Sequence, residues 1–372
     1  MALACGGSGM SRLVAFLGFG LVGVASLQSP AMAQGSGTIG LAVTDIRYAL
    51  YQTADGKEEC PDGLQVGEVL QFKAMPDYLA HMEKFGGTTA NRGPGGELGN
   101  YVPTAVNDVL PFRELHSTVG YGMNLDGTPD GHATTRTLAH AKFTDPVTGE
   151  KVDNQMARVL GCIMGWRKTG FMAEFYSNEV VTSPHNRFLI EITGVDDDKN
   201  DPNVEVWFYK GVDRLLKSPD GKGFIPMMSH RIDQRASDYT FHVHGRIVNG
   251  ELITDPMPNF RMALRQVEIL GDRRMKEARF RLKLDQDGAT GLMAGYEPIE
   301  SWWNIFSKCP GSDPGRYSAS NTYRAAVKYA DGYPDPKTGK ATAISVAYDI
   351  KAVRAMIVHG AGSASHIAAA ER

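Results

Sequence analysis

The sequence predicts a mainly β fold, an antiparallel β-sandwich or jelly-roll-like protein with a few peripheral helices. Short runs in which apolar and polar residues alternate dominate the chain after residue 185. Turn-forming residues separate these runs, because the 372 residues include 42 glycines and 19 prolines. Regular helical patterns do not alternate with the runs, which argues against a parallel, doubly wound sheet.

The clearest strand signal is a hairpin at residues 239–254. Its two runs flank Asn249-Gly250, a dipeptide that supplies the two positive-φ residues of a type I′ turn. In the segment ARFRLKLD at 278–285, apolar and basic side chains alternate, so one face is expected to be buried. The predicted strands lie at 188–195, 204–211, 239–248, 251–254, 260–270, 278–285 and 344–358.

Helices are predicted at only three places. The segment 296–308 carries four apolar residues at helical spacing, and 320–332 begins with a capping residue and ends at a glycine. A third short helix is predicted at 76–87, before a glycine-dense loop at 86–101. This loop lacks the GK[ST] of a phosphate-binding loop, which argues against a nucleotide site.

The first 33 residues have the layout of a secretory signal peptide. Arg12 precedes an apolar run at 13–27, and an A-x-A cleavage signal ends at Ala33. The run is shorter than the ~20 apolar residues that span a bilayer. The sequence therefore predicts a periplasmic or secreted protein without a membrane span after signal cleavage. The predicted organisation is a signal peptide at 1–33, an irregular β-rich part at 34–165, a β-sandwich core at 166–359 and a flexible tail at 360–372.

Charge excludes some partner classes. The formal net charge is −3, and lysine and arginine form no long run. Nucleic acids and anionic lipids attract basic surfaces, so the sequence predicts neither as a partner.

Three cysteines lie beyond the predicted signal peptide, so at most one intramolecular disulfide can form among them in an oxidising compartment. Cys60 and Cys309 lie in turn-like sequence, whereas Cys162 lies in an apolar run. This favours a Cys60–Cys309 disulfide with Cys162 as a core thiol, although spacing alone leaves the other pairings open.

The segment GYGMNLDGTPDG at 120–131 contains a candidate calcium loop. Calcium takes six to eight oxygen ligands, and glycine lets a short acidic loop fold around the ion. Asn124, Asp126 and Asp130 stand in an N-x-D-G-x-x-D pattern that resembles half of a thrombospondin type-3 calcium repeat, with Asn124 where Asp is usual. The alternative is an Asx-turn without metal. The nearest further oxygen donors in the sequence are Asp145, Asp153, Asn154 and Gln155.

A second acidic loop, GVDDDKNDPN at 194–203, separates two predicted strands. Alternate residues of such a loop can converge on a calcium ion, whereas a solvated acidic turn needs no metal. The calcium candidates in this loop are Asp196, Asp198, Asn200 and Asp201.

His242 and His244 form a His-x-His pair on one predicted strand. Side chains repeat every second residue on a strand, so both imidazoles lie on the same face, ~7 Å apart. A transition-metal site would need a third ligand, and His230 and Glu251 are near in sequence. The alternative is two half-buried strand residues without a metal.

Several segments resemble a family of exported proteobacterial β-rich proteins of uncharacterised activity. The resemblance rests on 194–206, 245–256 and 278–296, together with NLDGTPDG and 152–162. It implies export and a shared architecture, and it transfers no catalytic residue.

Catalytic motifs do not identify a reaction, since the sequence lacks GxSxG, HExxH and SxxK followed by SDN. We therefore expect an exported, non-catalytic binding or structural protein of the cell envelope, stabilised by Ca²⁺, with a carbohydrate or an envelope protein as its partner. The alternative is a metal-dependent periplasmic enzyme that uses His242 and His244.

Overall fold

The computed structural model describes residues 37–65, 102–105, 112–266, 269–307 and 319–360. The predicted signal peptide, the predicted helix at 76–87, the glycine-dense segment 86–101, Cys309 and all of the predicted tail except Gly360 lie outside the described residues.

The described residues form thirteen strands and four α-helices. The strands are β1 (Ile39–Tyr48), β2 (Phe143–Thr144), β3 (Lys151–Val152), β4 (Phe188–Thr193), β5 (Asp201–Lys210), β6 (Met228–Arg231), β7 (Phe241–Val248), β8 (Glu251–Thr254), β9 (Phe260–Gln266), β10 (Ile269–Leu284), β11 (Gly288–Pro298), β12 (Gly332–Pro334) and β13 (Ala341–Val358). The helices are α1 (Met156–Leu160), α2 (Phe171–Thr182), α3 (Ile299–Phe306) and α4 (Ala319–Tyr329).

One large sheet contains all of these strands except the small pair β2 and β3. Its strands run in the order β1-β4-β5-β7-β8-β10-β11-β13, and β13 also pairs with β1. Every neighbouring pair in this order is antiparallel. The sheet therefore closes on itself as a ring of eight strands, while β6, β9 and β12 extend it at the margins.

Aromatic side chains fill much of the inside of the closed sheet. The rings of Phe208 and Phe280 lie 4.6 Å apart, and those of Phe188 and Phe208 lie 5.8 Å apart. All three phenylalanines are buried, because alternate residues of each strand point inward. A closed sheet of eight strands has an interior that side chains can fill, so this space is the main core.

The predicted mainly antiparallel β fold with few helices is confirmed. The described strands do not form the two separate sheets of the predicted sandwich, because the β1–β13 pairing joins the two ends of one sheet. Alternating apolar and polar residues show that a strand buries one face. A two-sheet sandwich and a closed sheet both bury one face of each strand, so this pattern does not distinguish between them. The predicted hairpin is confirmed as β7 and β8, and Asn249 and Gly250 have φ angles of 52° and 73°.

The predicted helices at 296–308 and 320–332 are confirmed as α3 and α4. In α3, the four residues at helical spacing are all buried, and Trp302 and Phe306 stack with ring centroids 4.5 Å apart. Helix α3 therefore closes part of one end of the sheet's interior. Across the described ranges, each helix is too short or too polar to cross a membrane.

Residues 112–155, here called the covering segment, pack partly into the main core cluster, through Leu115, Phe143 and Val152, and partly against the outer face of β11 and β13. Met123 and Leu125 pack there on a small patch of mostly alanine side chains that includes Ala294 and Ala347. Asn154 anchors the segment, because its amide donates to the carbonyl oxygen of Ala49 and accepts from the N–H of Ala347. The covering segment carries the candidate site described below.

The disulfide differs from the sequence prediction, which was wrong in pairing Cys60 with Cys309. Cys60 is bonded to Cys162, and both residues are buried. The apolar run around Cys162 correctly indicated that this residue is buried. A buried cysteine can still form a disulfide when its partner is buried beside it, as Cys60 is here. The bond ties the segment after β1 to Cys162, the second residue beyond the end of α1.

We expect the double substitution Cys60→Ala/Cys162→Ala to lower the free energy of unfolding by roughly 2–5 kcal/mol, because it frees a long loop in the unfolded chain. Urea unfolding of the oxidised protein measures this change. Cys309→Ser is the control and should leave the free energy unchanged. A large loss in the control, with none in the double variant, would contradict the observed pairing.

Candidate metal centre

Three parts of the covering segment, around Asp126, His140 and Asp153, bring the site together. Asn124 and Asp126 lie in a turn after Met123, which forms an antiparallel bridge with Asp153 at the end of β3. Side-chain oxygens stabilise the turn. Asn124 Oδ1 accepts a hydrogen bond from the N–H of Gly127, and Asp126 Oδ1 accepts one from the N–H of Thr128. These are Asx-type hydrogen bonds, which explains the Asn and Asp residues at this spacing.

The closest group of metal-ligand side chains among the described residues is Asp126, His140 and Asp153. One ligand atom from each residue lies within 4.8 Å of the other two. The side chains of both aspartates are 0% exposed, and that of His140 is 7% exposed. Two carboxylates and an imidazole are a donor set for a divalent metal such as zinc or manganese, whereas calcium prefers oxygen alone.

Lys142 lies at the centre of the same group. Its Nζ is 2.6 Å from Asp126 Oδ1, 2.8 Å from Asn124 Oδ1 and 3.1 Å from Asp153 Oδ2. All three oxygens belong to residues of the predicted calcium set, Asn124, Asp126 and Asp153. The ammonium group, on a side chain only 1% exposed, therefore stands where the predicted cation would lie.

His140 is a second internal cation. Its Nδ1 is 2.9 Å from the carbonyl oxygen of Leu138, and its Nε2 is 2.8 Å from Asp153 Oδ1. Both nitrogens face acceptors, which fits the doubly protonated ring. Burial lowers the pKa of His140, but the hydrogen bond to Asp153 and the charge of Asp331 outweigh it and raise the pKa to about 9. A metal at Nε2 would have to displace this proton.

Asp331 adds a third buried carboxyl beside His140. Burial raises the pKa of Asp331 to about 6, against the opposing effect of the His140 charge. One of its oxygens accepts the N–H of Ser345, and the other is 3.7 Å from His140 Nε2. For Asp126, burial acts to raise the pKa, but Lys142 and Thr128 hold it below its usual range. We call Asn124, Asp126, His140, Lys142, Asp153 and Asp331 the ionic cluster.

Arg279 connects the ionic cluster to the closed sheet. From β10, its guanidinium donates to the carbonyl oxygens of Asn124 and Leu125 at 3.1 and 2.9 Å. Backbone carbonyls of a calcium loop commonly bind the ion, and Arg279 engages two of them here.

The structure assembles only part of the first predicted calcium set. Asn124, Asp126 and Asp153 come together, but Asp130 is exposed and bonds to His132 instead. Asp145 accepts the N–H groups of its own turn, at Val147 and Thr148. Sequence reasoning missed His140 and Lys142, whose only signal was an alternating pair of basic residues before β2.

The second predicted calcium loop is a hydrogen-bonded turn. Asp201 accepts the N–H groups of Asp196 and Asn203, and Asn200 accepts that of Asn249. Asp196, Asp198 and Asn200 are exposed. Among the described residues, the carboxylates of this loop do not converge into a metal-ligand group.

His242 and His244 lie on the outer face of β7, and each side chain is 44% exposed. His242 bonds to Glu205 and stacks on Trp207, whereas His244 bonds to Asn203 at 2.6 Å. The two histidines thus have separate polar partners.

The suggested third ligands lie elsewhere. His230 is buried on β6, a strand that pairs with β13, and Glu251 lies on β8. In the described part of the chain, no group of three metal ligands includes His242 or His244.

Comparison with known proteins adds no functional assignment. No protein family, curated protein or solved structure matches this chain. The chemistry of the site therefore carries the functional interpretation.

We expect stability to fall between pH 6.5 and pH 9 as His140 loses its proton. Its pKa is raised in the folded protein, so its contribution is complete below 6.5 and is lost as the pH approaches 9. The loss is on the order of 3 kcal/mol. Urea unfolding across this range measures it. His140→Gln should flatten the profile, whereas the exposed control His132→Gln should retain it; identical profiles for the two variants would contradict this assignment.

We expect Lys142→Met to lower the free energy of unfolding by about 3–5 kcal/mol, because it leaves buried carboxylates without their ammonium partner. Adding Asp126→Asn should recover part of this loss in a double-mutant cycle. The surface control Lys151→Met should change stability by less than about 0.5 kcal/mol. Strict additivity of the two cluster substitutions would show that Lys142 and Asp126 do not interact.

Proposed function

We propose that this protein is an exported, non-catalytic binding or structural protein of the cell envelope, in which a buried cation holds the covering segment on the closed sheet. The observation that carries the proposal is the Lys142 ammonium, which lies 2.6–3.1 Å from three side-chain oxygens. In this proposal Lys142 is the resident cation of the ionic cluster.

Burial supports a structural role for the cluster. The side chains of Asp126 and Asp153 are 0% exposed and that of Lys142 is 1% exposed. A catalytic acid or base must come within hydrogen-bond distance of its substrate. These groups contact one another instead, so their chemistry serves the fold.

The apolar contact that Met123 and Leu125 make with β11 and β13 is small, which explains why ionic anchoring is useful there. The patch on β11 and β13 is rich in alanine, and short side chains bury little apolar area. Hydrogen bonds from Asn154 and Arg279 fix the segment at two further points. Together with the ionic cluster, they hold the segment in one position.

A divalent metal is the second candidate occupant, favoured by the convergence of Asp126, His140 and Asp153. Binding would require Lys142 to move and His140 to lose a proton. Calcium would use the oxygens that now surround Lys142, whereas a transition metal would add the imidazole.

The proposed location and partner follow from the sequence. Export rests on the signal-peptide layout of residues 1–33 and on the resemblance to exported proteobacterial proteins. For a carbohydrate or envelope-protein partner, a suitable surface is the outer face of β5 and β7. There Trp207 stacks on His242, beside Glu205 and His244. The alternative of an enzyme that uses His242 and His244 gains no support, because their imidazoles bond separately.

Thermal unfolding of the mature protein, with elemental analysis, tests the cation. We expect the same melting temperature in calcium, in zinc and in chelator, because Lys142 fills the cluster. Asp126→Asn should lower the melting temperature by several degrees in all three conditions.

Asp130→Asn is the matched control, since Asp130 lies in the same loop outside the cluster, and it should melt like the wild type. If only calcium or zinc stabilises the wild type, that metal rather than the Lys142 ammonium is the cation of the ionic cluster. An Asp126→Asn variant as stable as the control would overturn the proposal of a cation-held segment.

A further inference from the structure

A cleft of about 630 Å³ opens between the chain that follows β1 and the chain that follows α1. Residues 52–56 and 64–65 line one wall, and residues between 164 and 172, including the start of α2, line the other. Its volume lies within the ~300–1,000 Å³ that ligand sites in proteins usually have. The residues of the ionic cluster do not line this cleft, so the two sites are separate.

The two walls are held together by a covalent bond and by backbone hydrogen bonds. The Cys60–Cys162 disulfide joins the segments that carry the walls. The N–H of Gln65 donates to the carbonyl oxygen of Cys162 at 2.8 Å, and the N–H of Met164 donates to the carbonyl oxygen of Gln65 at 3.1 Å. The cleft is therefore preformed, which lowers the ordering cost of binding a ligand.

Gln65 lines the cleft and keeps an unused acceptor. The residue is only 2% exposed, and within the described ranges its Oε1 has no hydrogen-bond partner. A buried carbonyl oxygen without a donor costs free energy. The terminal torsion of a glutamine side chain is broad, so the amide can turn this oxygen toward a donor in the cleft. A ligand with an N–H or O–H group would supply that donor.

Two large apolar side chains that line the cleft are exposed. Phe171, the first residue of α2, is 67% exposed, and Met164 on the same wall is 44% exposed. Exposed apolar groups that adjoin one another mark binding surfaces, and the flexible side chain of methionine adapts to apolar partners of irregular shape. These two side chains therefore favour a ligand with a bulky apolar group.

The charges at the cleft argue against an anionic ligand. Arg167 is the one basic residue among the described residues that line it. Its guanidinium donates to the carbonyl oxygen of Gly161 at 2.9 Å and lies 3.6 Å from Glu59 Oε2. Asp55, on the opposite wall, adds an exposed carboxylate. A phosphate or carboxylate would thus meet a paired arginine and a like charge, so the cleft suits a neutral ligand.

We propose that the cleft binds a peptide segment of a partner protein through one large apolar side chain. That side chain lies against Phe171 and Met164, and a neighbouring peptide N–H donates to Gln65 Oε1. A peptide carries both groups close together, and its backbone is neutral. A carbohydrate also offers hydrogen-bond donors, but it lacks the bulky apolar group that would cover Phe171 and Met164.

Calorimetric titration of the mature protein with N-acetyl-alanyl-phenylalanyl-alanine amide tests this site, with the capped tri-alanine as its match. We expect the phenylalanyl peptide to bind at least ten-fold more tightly than the tri-alanine, because only its aromatic side chain is buried on binding. Phe171→Ser should weaken binding of the phenylalanyl peptide about ten-fold, for the same reason. Leu270→Ser is the matched control, since Leu270 is equally exposed on β10 outside the cleft, and it should bind like the wild type.

Gln65→Met tests the hydrogen bond. It should weaken binding of the phenylalanyl peptide about five-fold, because a neutral hydrogen bond is lost. It should not lower the melting temperature, since Oε1 has no partner among the described residues of the free protein. Binding as tight as that of the wild type would contradict the role of Gln65.

A photoreactive peptide, with benzoylphenylalanine at its centre, locates the bound side chain. Irradiation should attach it to Met164, as mass spectrometry of the digested protein would show. Met227 and Met356 are internal controls, because both are also exposed and lie outside the cleft.

Absence of peptide binding, equal affinity for the capped tri-alanine, equal affinity of Phe171→Ser and Leu270→Ser, or equal labelling of the three methionines would overturn the proposal. Displacement of the peptide by maltose would assign the cleft to a carbohydrate and would also overturn it. None of these outcomes affects the cation proposed for the ionic cluster.

Discussion

The pairing of β1 with β13 is the constraint on which the rest of the structure depends. It joins the first and last strands of the ring, so residues at the two ends of the described chain share one core. Each of the eight strands in the ring has a neighbour on both sides, so none of them is an edge strand of the described sheet. The pairing also creates an interior and an outer face, and the ionic cluster lies on the outside.

On the outer face, buried charge takes the place of a large apolar contact. Around Met123 and Leu125 the covering segment meets mostly alanine side chains, so polar groups that face each other out of water add to its attachment there. Lys142 and His140 lie among Asp126, Asp153 and Asp331, and each charge has an opposite charge near it. Such a cluster specifies one arrangement strongly, because removing any member leaves its partners buried and uncompensated. Because the Lys142 ammonium supplies the positive charge, a loop whose Asn and Asp residues are spaced as in a calcium site can fold without a metal ion.

At the end of the interior, the polar groups are arranged differently. Arg273 and Tyr176 keep donors without acceptors, while Arg187 uses all three of its guanidinium nitrogens. The two buried arginines thus illustrate two uses of the same side chain. Arg187 braces the backbone of neighbouring segments, whereas Arg273 lies over the ring of Tyr348 and beside Glu297.

The sequence by itself determined the local features of this protein. Alternating residues predicted β4, β5, β7, β8 and β13, Asn249-Gly250 predicted the hairpin turn, and helical spacing predicted α3. Each depends on neighbours within a few residues. Tertiary structure alone decided the closure of the sheet and the Cys60–Cys162 bond. It also placed Lys142 among Asn124, Asp126 and Asp153, because those contacts join residues that are distant in the chain and have no fixed spacing. A loop pattern shows which oxygens are available, but only the folded chain shows which cation they surround.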